Sequence, residues 1–391
     1  MTPAARLQAA VEVLDEVIAS ARDEGPPADS IVTRYFKHRR YAGSKDRRAV
    51  RELAFRAIRR TAERPASGRA AILGLAEDDP ALLDLFGEPR GPEPHLQSEE
   101  AAPAGIVPEW LRGEISPLVG ENEWPALLER APLDLRVNIG KASRGELLGQ
   151  FPGADATPLS PWGLRLPSDS RVDNPGAFEA GLIEVQDEGS QLIALVCEPT
   201  GGDRILDLCA GAGGKSLALA AAAPKAIVLA TDSNRARLSK LAPRAARAGS
   251  AIETRLLNPP HELDELADWR EAANLVLVDA PCSGSGTWRR NPEGRWRLNP
   301  ERLDRLISTQ QRLLDIGAEL VKPGGRLVYA VCSILSREGA GQIDRFLRDR
   351  SSWISEATPI AAGRSDGSGR LLTPGHDRTD GFFVARLGRP C

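Results

Sequence analysis

Four apolar runs that alternate with helical stretches constrain the fold of this 391-residue chain more than any other feature. The runs are RILDLC (204–209), AIVLAT (226–231), LVLVDA (275–280) and RLVYAV (326–331), and the helical patterns cover 215–223, 233–248 and 301–321. Apolar strands that are separated by helices are typical of a parallel sheet covered on both faces. The sequence therefore predicts an α/β fold with a mostly parallel sheet, to which GFFVARL (381–387) adds an edge or antiparallel strand.

The chain before this region divides into three parts. Apolar residues recur at helical spacing over 3–22 and in the 50–58 stretch, and shorter helices are expected at 69–76 and 80–86. Residues 87–108 are rich in Pro and Gly, as linkers are. We expect a helical domain at 1–86, a linker at 87–108, a small α/β subdomain at 109–180 and the main α/β domain at 181–391.

The net charge of −3 hides an uneven distribution of charge. Residues 33–60 contain 11 Lys/Arg and 2 Asp/Glu, a local net charge of +9, whereas 77–100 contains 8 Asp/Glu and one Arg. A basic patch is typical of phosphate binding, so the helical domain is predicted to bind RNA. The alternative is that these arginines pair with the acidic stretch on an ordinary solvated surface.

Several protein classes are disfavoured. The five cysteines form no C-x-x-C pair and the four histidines are scattered, so neither a disulfide framework nor a metal site is expected. No apolar run approaches the ~18 residues of a membrane helix, and acidic residues interrupt the first twenty residues, unlike a signal peptide. We expect a cytoplasmic protein without a membrane partner.

A Gly-rich turn in ILDLCAGAGGKS (205–216) is the first candidate site. A Walker loop would need Gly at Cys209, and a dinucleotide fingerprint would need Gly at Ser216, although Gly211 and Gly213 fit the latter. The third class is S-adenosylmethionine, because Asp207 at the end of the strand suits an amino-bearing ligand. The alternative is a tight turn without a ligand.

Three further residues follow the apolar strands. Asp232 could accept two ribose hydroxyls or could cap helix 233–248. Asp279 and Cys282 follow one strand and Cys332 follows another, so both thiols are expected at the sheet edge that carries the Gly-rich turn. A single Cys there is usually a buried apolar residue, but a pair favours a nucleophile that attacks pyrimidine carbon 6.

An arginine- and tryptophan-rich segment follows Cys282. Trp288 and Trp296 are interleaved with four arginines, a composition that suits phosphate contact and base stacking; the arginines are Arg289, Arg290, Arg295 and Arg297. The segment is therefore predicted to contact RNA, with a solvated face as the alternative.

These motifs together resemble the RNA cytosine-5 methyltransferases of the ribosomal RNA methylase B / NOP2 / NSUN family. The resemblance runs from IVPEWLRGEI (106–115) to DGFFVARL (380–387), and its motifs are RVN (136–138), VQDEGSQL (185–192), DLCAGAGGK (207–215), DAPCSGSGT (279–287), LVKPGGRLVYAVCS (320–333) and DGFF (380–383). The paired DAPCSGSG and CS elements carry most of the specificity. Residues 1–86 are similar to a shortened NusB-type helical domain.

The resemblance implies a Rossmann-like S-adenosylmethionine methyltransferase that methylates cytosine carbon 5 in RNA. It assigns Cys332 as the nucleophile, Cys282 as the thiol that assists product release, and Asp279 to the place where cofactor and base meet. It assigns Asp232 to the ribose and the Gly-rich turn to the cofactor, the turn residues being Cys209, Ala210, Gly211, Ala212, Gly213, Gly214 and Lys215. By this resemblance 16S ribosomal RNA is a more favoured substrate than tRNA, residues 109–180 contribute to RNA binding, and the protein acts as a monomer without a metal.

The chain departs from the family pattern at four positions. Ala212 replaces a proline, Val331 replaces the Thr before the nucleophile, and Asn258 replaces the acidic residue that faces the adenine. The Glu-Asn pair after the nucleophile is Glu338-Gly339. Three alternatives stay open: a tRNA methyltransferase, a non-catalytic RNA-binding ribosome assembly factor, and a nicotinamide-dependent dehydrogenase, which would leave both cysteines unexplained.

Overall fold

The computed structural model describes residues 1–168, 170 and 174–391, so four residues of the predicted 109–180 subdomain lie outside the described residues. The described chain forms two compact units. The first unit comprises residues 1–115, 121–129 and 287–300, and the second comprises 116–120, 130–286 and 301–391.

Helices form the first unit. They are α1 (Pro3–Arg22), α2 (Ala28–Lys37), α3 (Ser44–Arg60) and α4 (Gly68–Asp78), with 3₁₀ turns at Pro80–Leu85, Glu109–Glu114, Glu121–Leu127 and Pro292–Arg297. Helix α1 begins after Thr2, whose side chain accepts a hydrogen bond from the backbone N–H of Ala5. The apolar stripe of α1 packs with α3 and α4, including the fully buried Leu7 and Leu14. The helical spacing of the sequence correctly predicted this packing face.

The segment 87–108 contains neither a helix nor a strand and lies against the helices of the first unit. The guanidinium of Arg69 donates to the carbonyl oxygens of Glu93 and Pro94 and pairs with Glu99. The backbone N–H of Ala102 donates to the carbonyl of Ala70 at 2.9 Å. These contacts tie the Pro-rich segment to α4 along much of its length.

Three side chains of the arginine- and tryptophan-rich segment are buried within the first unit. Trp288, Arg295 and Trp296 are each at most 2% exposed. The guanidinium of Arg295 donates to the carbonyl of Ile106 at 2.7 Å and to that of Ile58, near the end of α3. Carbonyls in the last turn of a helix lack intrahelical partners, and a buried guanidinium supplies the missing donors. The prediction of RNA contact is therefore wrong for these three side chains, and so is the alternative of a solvated face.

A small antiparallel sheet begins the second unit. Its strands are β1 (Leu133–Val137), β2 (Asp155–Ala156), β3 (Gly163–Leu166) and β4 (Ile183–Val185), in the order β2-β3-β1-β4, with helices α5 (Arg144–Leu148) and α6 (Pro175–Glu179). Leu135, Leu164 and Ile183 are completely buried in its core.

A nine-stranded sheet dominates the second unit. Its strands are β5 (Arg204–Asp207), β6 (Ile227–Asp232), β7 (Glu253–Leu256), β8 (Ala273–Asp279), β9 (Val321–Val331), β10 (Ile354–Glu356), β11 (Arg364–Asp366), β12 (Gly369–Leu372) and β13 (Phe382–Gly388). Its helices are α7 (Glu188–Val196), α8 (Gly214–Ala222), α9 (Arg235–Leu238), α10 (Leu241–Ala248), α11 (Glu262–Glu265), α12 (Pro300–Leu320), α13 (Ala340–Asp349) and α14 (Pro374–Asp377). The path through the sheet is β11-β12-β13-β9-β8-β5-β6-β7, and β10 pairs with β13.

The pairing confirms the predicted mostly parallel α/β sheet. Strands β9, β8, β5, β6 and β7 run parallel to one another, whereas β13 runs antiparallel to β9. Strand β13 also pairs with β12, so the predicted edge or antiparallel strand is an antiparallel strand inside the sheet. The chain order reverses between β5 and β8, and such a reversal opens a crevice at the carboxyl ends of the two strands.

The predicted helix 233–248 is two helices. It is interrupted between α9 and α10, and Pro243 lies in the first turn of α10. Proline lacks the backbone N–H and its ring clashes with the carbonyl four residues earlier, so a continuous helix is not possible there. Among the residues that the structure describes, no helix is both long and apolar enough to cross a membrane.

Candidate active site

The predicted site residues of the second unit converge on the carboxyl ends of β5, β8 and β9. Leu277 of β8 pairs with Asp207 of β5, and Asp279 of β8 pairs with Ala330 of β9. The Gly-rich turn follows β5, Asp279 ends β8, and Cys332 directly follows β9. The fold thus brings to one edge what the sequence separates by more than a hundred residues.

Glycine is required twice in the turn between β5 and α8. Gly211 and Gly213 have φ angles of +57° and +82°, a left-handed conformation that other residues rarely adopt. A Cβ on Gly213 would lie 2.0 Å from Cδ1 of Leu241, and one on Gly211 would lie 2.4 Å from a guanidinium nitrogen of Arg237. The turn is therefore close-packed on its outer side, and its backbone shape depends on both glycines.

Asp232 holds this turn from the neighbouring strand. Its Oδ2 accepts a hydrogen bond from the backbone N–H of Gly211 at 2.8 Å, and its Oδ1 accepts one from Asn234 at 2.6 Å. The cap of α9 is Asn234, whose side chain accepts from the N–H of Arg237. The alternative that Asp232 caps the following helix is thus wrong, and its contact with a ribose stays a prediction.

Asp207 is a buried carboxyl group beneath the turn. It is 1% exposed, and its Oδ2 accepts a hydrogen bond from Ser216 Oγ at 2.6 Å. Its Oδ1 is buried and has no hydrogen-bond partner among the described residues. Burial raises the pKa of Asp207 to about 7, because the hydrogen bond from Ser216 offsets only part of the desolvation.

Lys215 and Asp279 form an ion pair at the centre of the site. Lys215 Nζ lies 2.6 Å from Asp279 Oδ2 and 5.3 Å from the ring centroid of Phe382 in the DGFF motif. Burial lowers the pKa of Lys215, but the charge and hydrogen bond of Asp279 more than compensate, so that the pKa is raised. Lys215 remains a cation, within electrostatic reach of Cys332 as well.

The two predicted catalytic cysteines face each other. Cys282 Sγ and Cys332 Sγ are 3.4 Å apart, within hydrogen-bonding distance for sulfur. The hydrogen bond to Cys332, together with burial, raises the pKa of the Cys282 thiol well above its usual range. Cys282 therefore keeps its proton and can donate a hydrogen bond to the Cys332 sulfur.

Backbone contacts lock the two cysteine loops and the DGFF motif together. The N–H of Gly286 donates to the carbonyl of Cys332 at 3.1 Å, and the N–H of Gly381 donates to the carbonyl of Gly286 at 2.7 Å. A Cβ on Gly286 would lie 2.0 Å from the carbonyl oxygen of Gly381. The second glycine of SGSG is thus explained by this close approach of two backbones.

Residues outside the predicted set also support the turn. The buried guanidinium of Arg136, in the RVN motif, donates to the carbonyl of Gly214 at 2.6 Å, and that of Arg244 donates to the carbonyl of Ala212. Desolvation lowers the pKa of Arg136 to about 10. The sequence signalled Arg136 only through the resemblance, since its partner lies 78 residues away.

The side chain of Asn258 binds Glu265, which belongs to neither the Gly-rich turn nor the cysteine loops. It is exposed after β7, and its amide nitrogen donates to Glu265 Oε1 at 2.6 Å. Glu265 also accepts from the backbone N–H of Asn258. A contact between Asn258 and an adenine stays a prediction.

Comparison with known proteins identifies the family. A family model described as 16S rRNA methyltransferase RsmB/F matches residues 194–388. The ribosomal RNA small subunit methyltransferase B of Enterobacter sp. (strain 638) is 36% identical over 290 residues, which cover 72% of this chain and 66% of that protein. The protein of the same name from Xylella fastidiosa (strain 9a5c) is 36% identical over 289 residues, which cover 72% of this chain and 68% of that protein. The chain therefore spans about two-thirds of the length of these relatives.

Solved structures share the fold. The crystal structure of PH0851 has a TM-score of 0.76 at 22% identity and covers 99% of each chain. NSun6 from Pyrococcus horikoshii with SFG has a TM-score of 0.63 at 21% identity, covering 73% of this chain and 98% of that one. These likenesses confirm the Rossmann-like methyltransferase fold. With the sequence relatives, they lead to one conclusion: the chain belongs to the 16S rRNA methyltransferase RsmB/F family.

Proposed function

We propose that this protein methylates carbon 5 of a cytosine in RNA, with S-adenosylmethionine as methyl donor and 16S ribosomal RNA as substrate. The observation that carries the proposal is the pair of thiols 3.4 Å apart at the carboxyl edge of the sheet, in the unit that also contains the Gly-rich turn. Family membership and the names of the relatives support the choice of ribosomal RNA over tRNA.

The residues around the turn fit S-adenosylmethionine. Gly211 and Gly213 shape a turn whose backbone can approach a ligand closely, and the unpartnered Oδ1 of Asp207 suits an amino group. Asp232, at the end of the next strand, is the candidate for the ribose hydroxyls. When bound here, S-adenosylmethionine supplies a methyl group on a sulfonium, a leaving group that needs no metal.

The chemical task of the protein is to make carbon 5 of cytosine nucleophilic. The Cys332 thiolate forms a bond to carbon 6, which pushes an electron pair onto carbon 5. Asp279, which pairs with Lys215, is the group proposed to accept a hydrogen bond from the protonated nitrogen 3 or from the exocyclic amine of the base. After methylation a base removes the proton from carbon 5, and the bond between sulfur and carbon 6 breaks with its electron pair returning to Cys332. The Cys282 thiol stabilises the departing thiolate through a hydrogen bond.

The first unit is proposed to bind RNA through part of its basic stretch. Several arginines of 33–60 form ion pairs. The alternative of pairing with the acidic stretch 77–100 accounts for Arg56 and Arg60, whereas Arg34, Arg39 and Arg51 pair with acidic residues outside it. We call four of them the paired set: Arg34 with Glu16, Arg39 with Glu12, Arg51 with Asp29, and Arg56 with Asp79. We therefore limit the proposed RNA-binding surface to those cations of 33–60 for which the described residues provide no acidic partner.

The loop between α2 and α3, with the first turns of α3, keeps its positive charge exposed. We call Lys37, Arg40, Tyr41, Lys45 and Arg48 the basic tip. Its four cations are exposed and, among the described residues, have no ion-pair partner, while the Tyr41 ring is 74% exposed. The only acidic residue between 37 and 48 is Asp46, which is buried and binds the N-terminal amine and Arg6. Free cations beside an exposed ring suit unpaired RNA, whose phosphates and bases bind these two groups.

Transfer of a labelled methyl group to RNA tests the function. Purified protein, S-adenosylmethionine and 16S ribosomal RNA from cells that lack the protein should yield 5-methylcytidine, detected by nucleoside mass spectrometry and placed by bisulfite sequencing. The Cys332→Ala variant should bind S-adenosylmethionine and yield no product. Product on tRNA alone would change the substrate, and RNA binding without any product would favour an assembly factor.

A further inference from the structure

Glu338 lies between β9 and α13 and is completely buried. Its carboxylate receives four hydrogen bonds, all from neutral donors. Oε1 accepts from the backbone N–H of Ser283 at 2.8 Å and from Gln310 Nε2 at 2.9 Å. Oε2 accepts from the hydroxyls of Ser283 and Ser333, both at 2.5 Å. Four acceptances saturate a carboxylate.

The partners of Glu338 are adjacent to the two cysteines. Ser283 directly follows Cys282, and Ser333 directly follows Cys332. A third hydroxyl strengthens the connection, since Ser285 Oγ lies 3.0 Å from Ser333 Oγ and accepts from the N–H of Ile334 at 3.0 Å. One carboxylate thus joins two loops that are 50 residues apart in the chain.

Glutamines of α12 and α13 extend the hydrogen-bond network around Glu338. Gln310 of α12 also donates to the carbonyl of Pro281 at 3.0 Å, and its own oxygen accepts from Gln342 of α13 at 3.1 Å. Both glutamines are at most 1% exposed. Gln310 of α12 therefore fixes the position of Glu338, which in turn binds the two cysteine loops.

We propose that Glu338 is a positioning residue that sets the separation of Cys282 and Cys332. It touches neither thiol and acts through Ser283 and Ser333. The effect of Glu338 on catalysis rests on the proposed function, because only a covalent mechanism needs the two sulfurs close together. The geometric claim stands without it, since it concerns the distance between two side chains.

The site of Glu338 requires a hydrogen-bond acceptor at both oxygens of the side chain. A Glu338→Gln substitution keeps the size of the side chain and replaces one oxygen by an N–H₂ group. That group faces the hydroxyls of Ser283 and Ser333, which can accept from it only by turning their own protons towards other acceptors. Two hydrogen bonds at 2.5 Å to a charged oxygen are thus replaced by weaker neutral ones, and two buried hydroxyl protons need new partners. A buried donor without a partner destabilises its surroundings, and the loops are expected to move apart to recover partners.

Oxidative cross-linking measures the separation directly. Diamide takes two electrons and two protons from a pair of thiols and becomes the hydrazine, while the sulfurs form a disulfide. The assay is the initial rate of the Cys282–Cys332 disulfide, followed by alkylation and peptide mass spectrometry, without RNA or S-adenosylmethionine. The wild type should cross-link rapidly because a small movement closes 3.4 Å to a bond. Glu338→Gln should slow this by about tenfold or more.

The matched control is Glu188→Gln. Glu188 is a completely buried carboxylate of the same unit that accepts from the N–H groups of Leu159 and Ser160 and pairs with Arg165. Its substitution should lower the melting temperature without changing the cross-linking rate. If Glu338→Gln does not fold, Ser333→Ala, which removes one of the four donors, carries the test and should slow the reaction in the same direction.

Activity provides a second readout. Glu338→Gln should lower kcat, leave the KM for S-adenosylmethionine unchanged, and accumulate covalent protein–RNA adduct, because release needs Cys282 beside Cys332. A cross-linking rate in a folded Glu338→Gln variant equal to that of the wild type would overturn the proposal. A slowed rate in a protein whose wild type methylates no RNA would retain the positioning role and remove the proposed function.

Discussion

The buried carboxyl of Asp207 makes the stability of this protein depend on pH in a predictable direction. Its pKa is about 7 in the folded protein against an ordinary value of 3.8. Between these two pH values the folded state holds a proton that the unfolded state has released. The free energy of unfolding therefore falls as the pH rises through this window and levels off above about pH 7.

The size of the change in the free energy of unfolding follows from the shift in the pKa of Asp207. The raised pKa exceeds the ordinary one by about 3 units, and each unit corresponds to 1.36 kcal/mol. Ionised Asp207 thus lowers the free energy of unfolding by up to about 4 kcal/mol at pH 8 and above. An Asp207→Asn variant loses this penalty, because its side chain cannot ionise and its carbonyl can still accept from Ser216.

Urea unfolding of the ligand-free protein between pH 4 and pH 9 tests this. Asp207→Asn should match the wild type near pH 4 and become progressively more stable than the wild type up to about pH 8. Subtracting the two curves removes the contribution of every other titrating group, and the exposed Asp155→Asn variant provides the control. A difference between wild type and Asp207→Asn that does not change with pH would refute the reasoning.

Three further variants test the turn, the thiol pair and the RNA surface. Gly213→Ala should lower the free energy of unfolding by about 2 kcal/mol or more in urea titration, because it combines a φ of +82° with a clash on Leu241. The control is Gly202→Ala, which has a φ of +93° and open space around it and so measures the backbone cost alone. Equal losses of stability in the two variants would refute the clash. Cys282→Ala should accumulate a protein–RNA adduct on denaturing gels, and normal turnover without adduct would make Cys282 structural. Replacing the four cations of the basic tip by Gln should reduce the slope of log affinity against log salt by up to about 3, at roughly 0.7 per phosphate contact. Replacing the arginines of the paired set by Gln should leave this slope unchanged. Equal slopes for the basic-tip variant and the wild type would show that the basic tip does not bind RNA.

Local sequence predicted the main sheet because its strands are buried on both faces. An uninterrupted apolar run such as LVLVDA can only be a buried element, and the Gly and Asp residues that follow it mark the carboxyl edge. Cys282 and Cys332 could be placed at one edge for the same reason. The short antiparallel strands β10, β11 and β12 escaped prediction because a strand of three or four residues is too short to show a clear period.

What the sequence could not reveal are pairings over long distances. Arg295 reads as an exposed cation until the carbonyls at the end of α3, more than two hundred residues away, are seen to need donors. Glu338 likewise has no role that its local sequence indicates, whereas the structure shows four donors converging on it. Each of these roles depends on partners from separate segments, and no local pattern encodes them.

The most direct test of the covalent mechanism uses RNA that contains 5-fluorocytidine. Fluorine cannot leave as a cation, so after methyl transfer the bond between sulfur and carbon 6 cannot break and the intermediate accumulates. Digestion and mass spectrometry then identify the cysteine that carries the methylated base. The mechanism predicts a stable adduct on Cys332 that requires S-adenosylmethionine. An adduct on Cys282 instead, or 5-methylcytidine formed on ordinary RNA with no adduct on the fluorinated one, would contradict it.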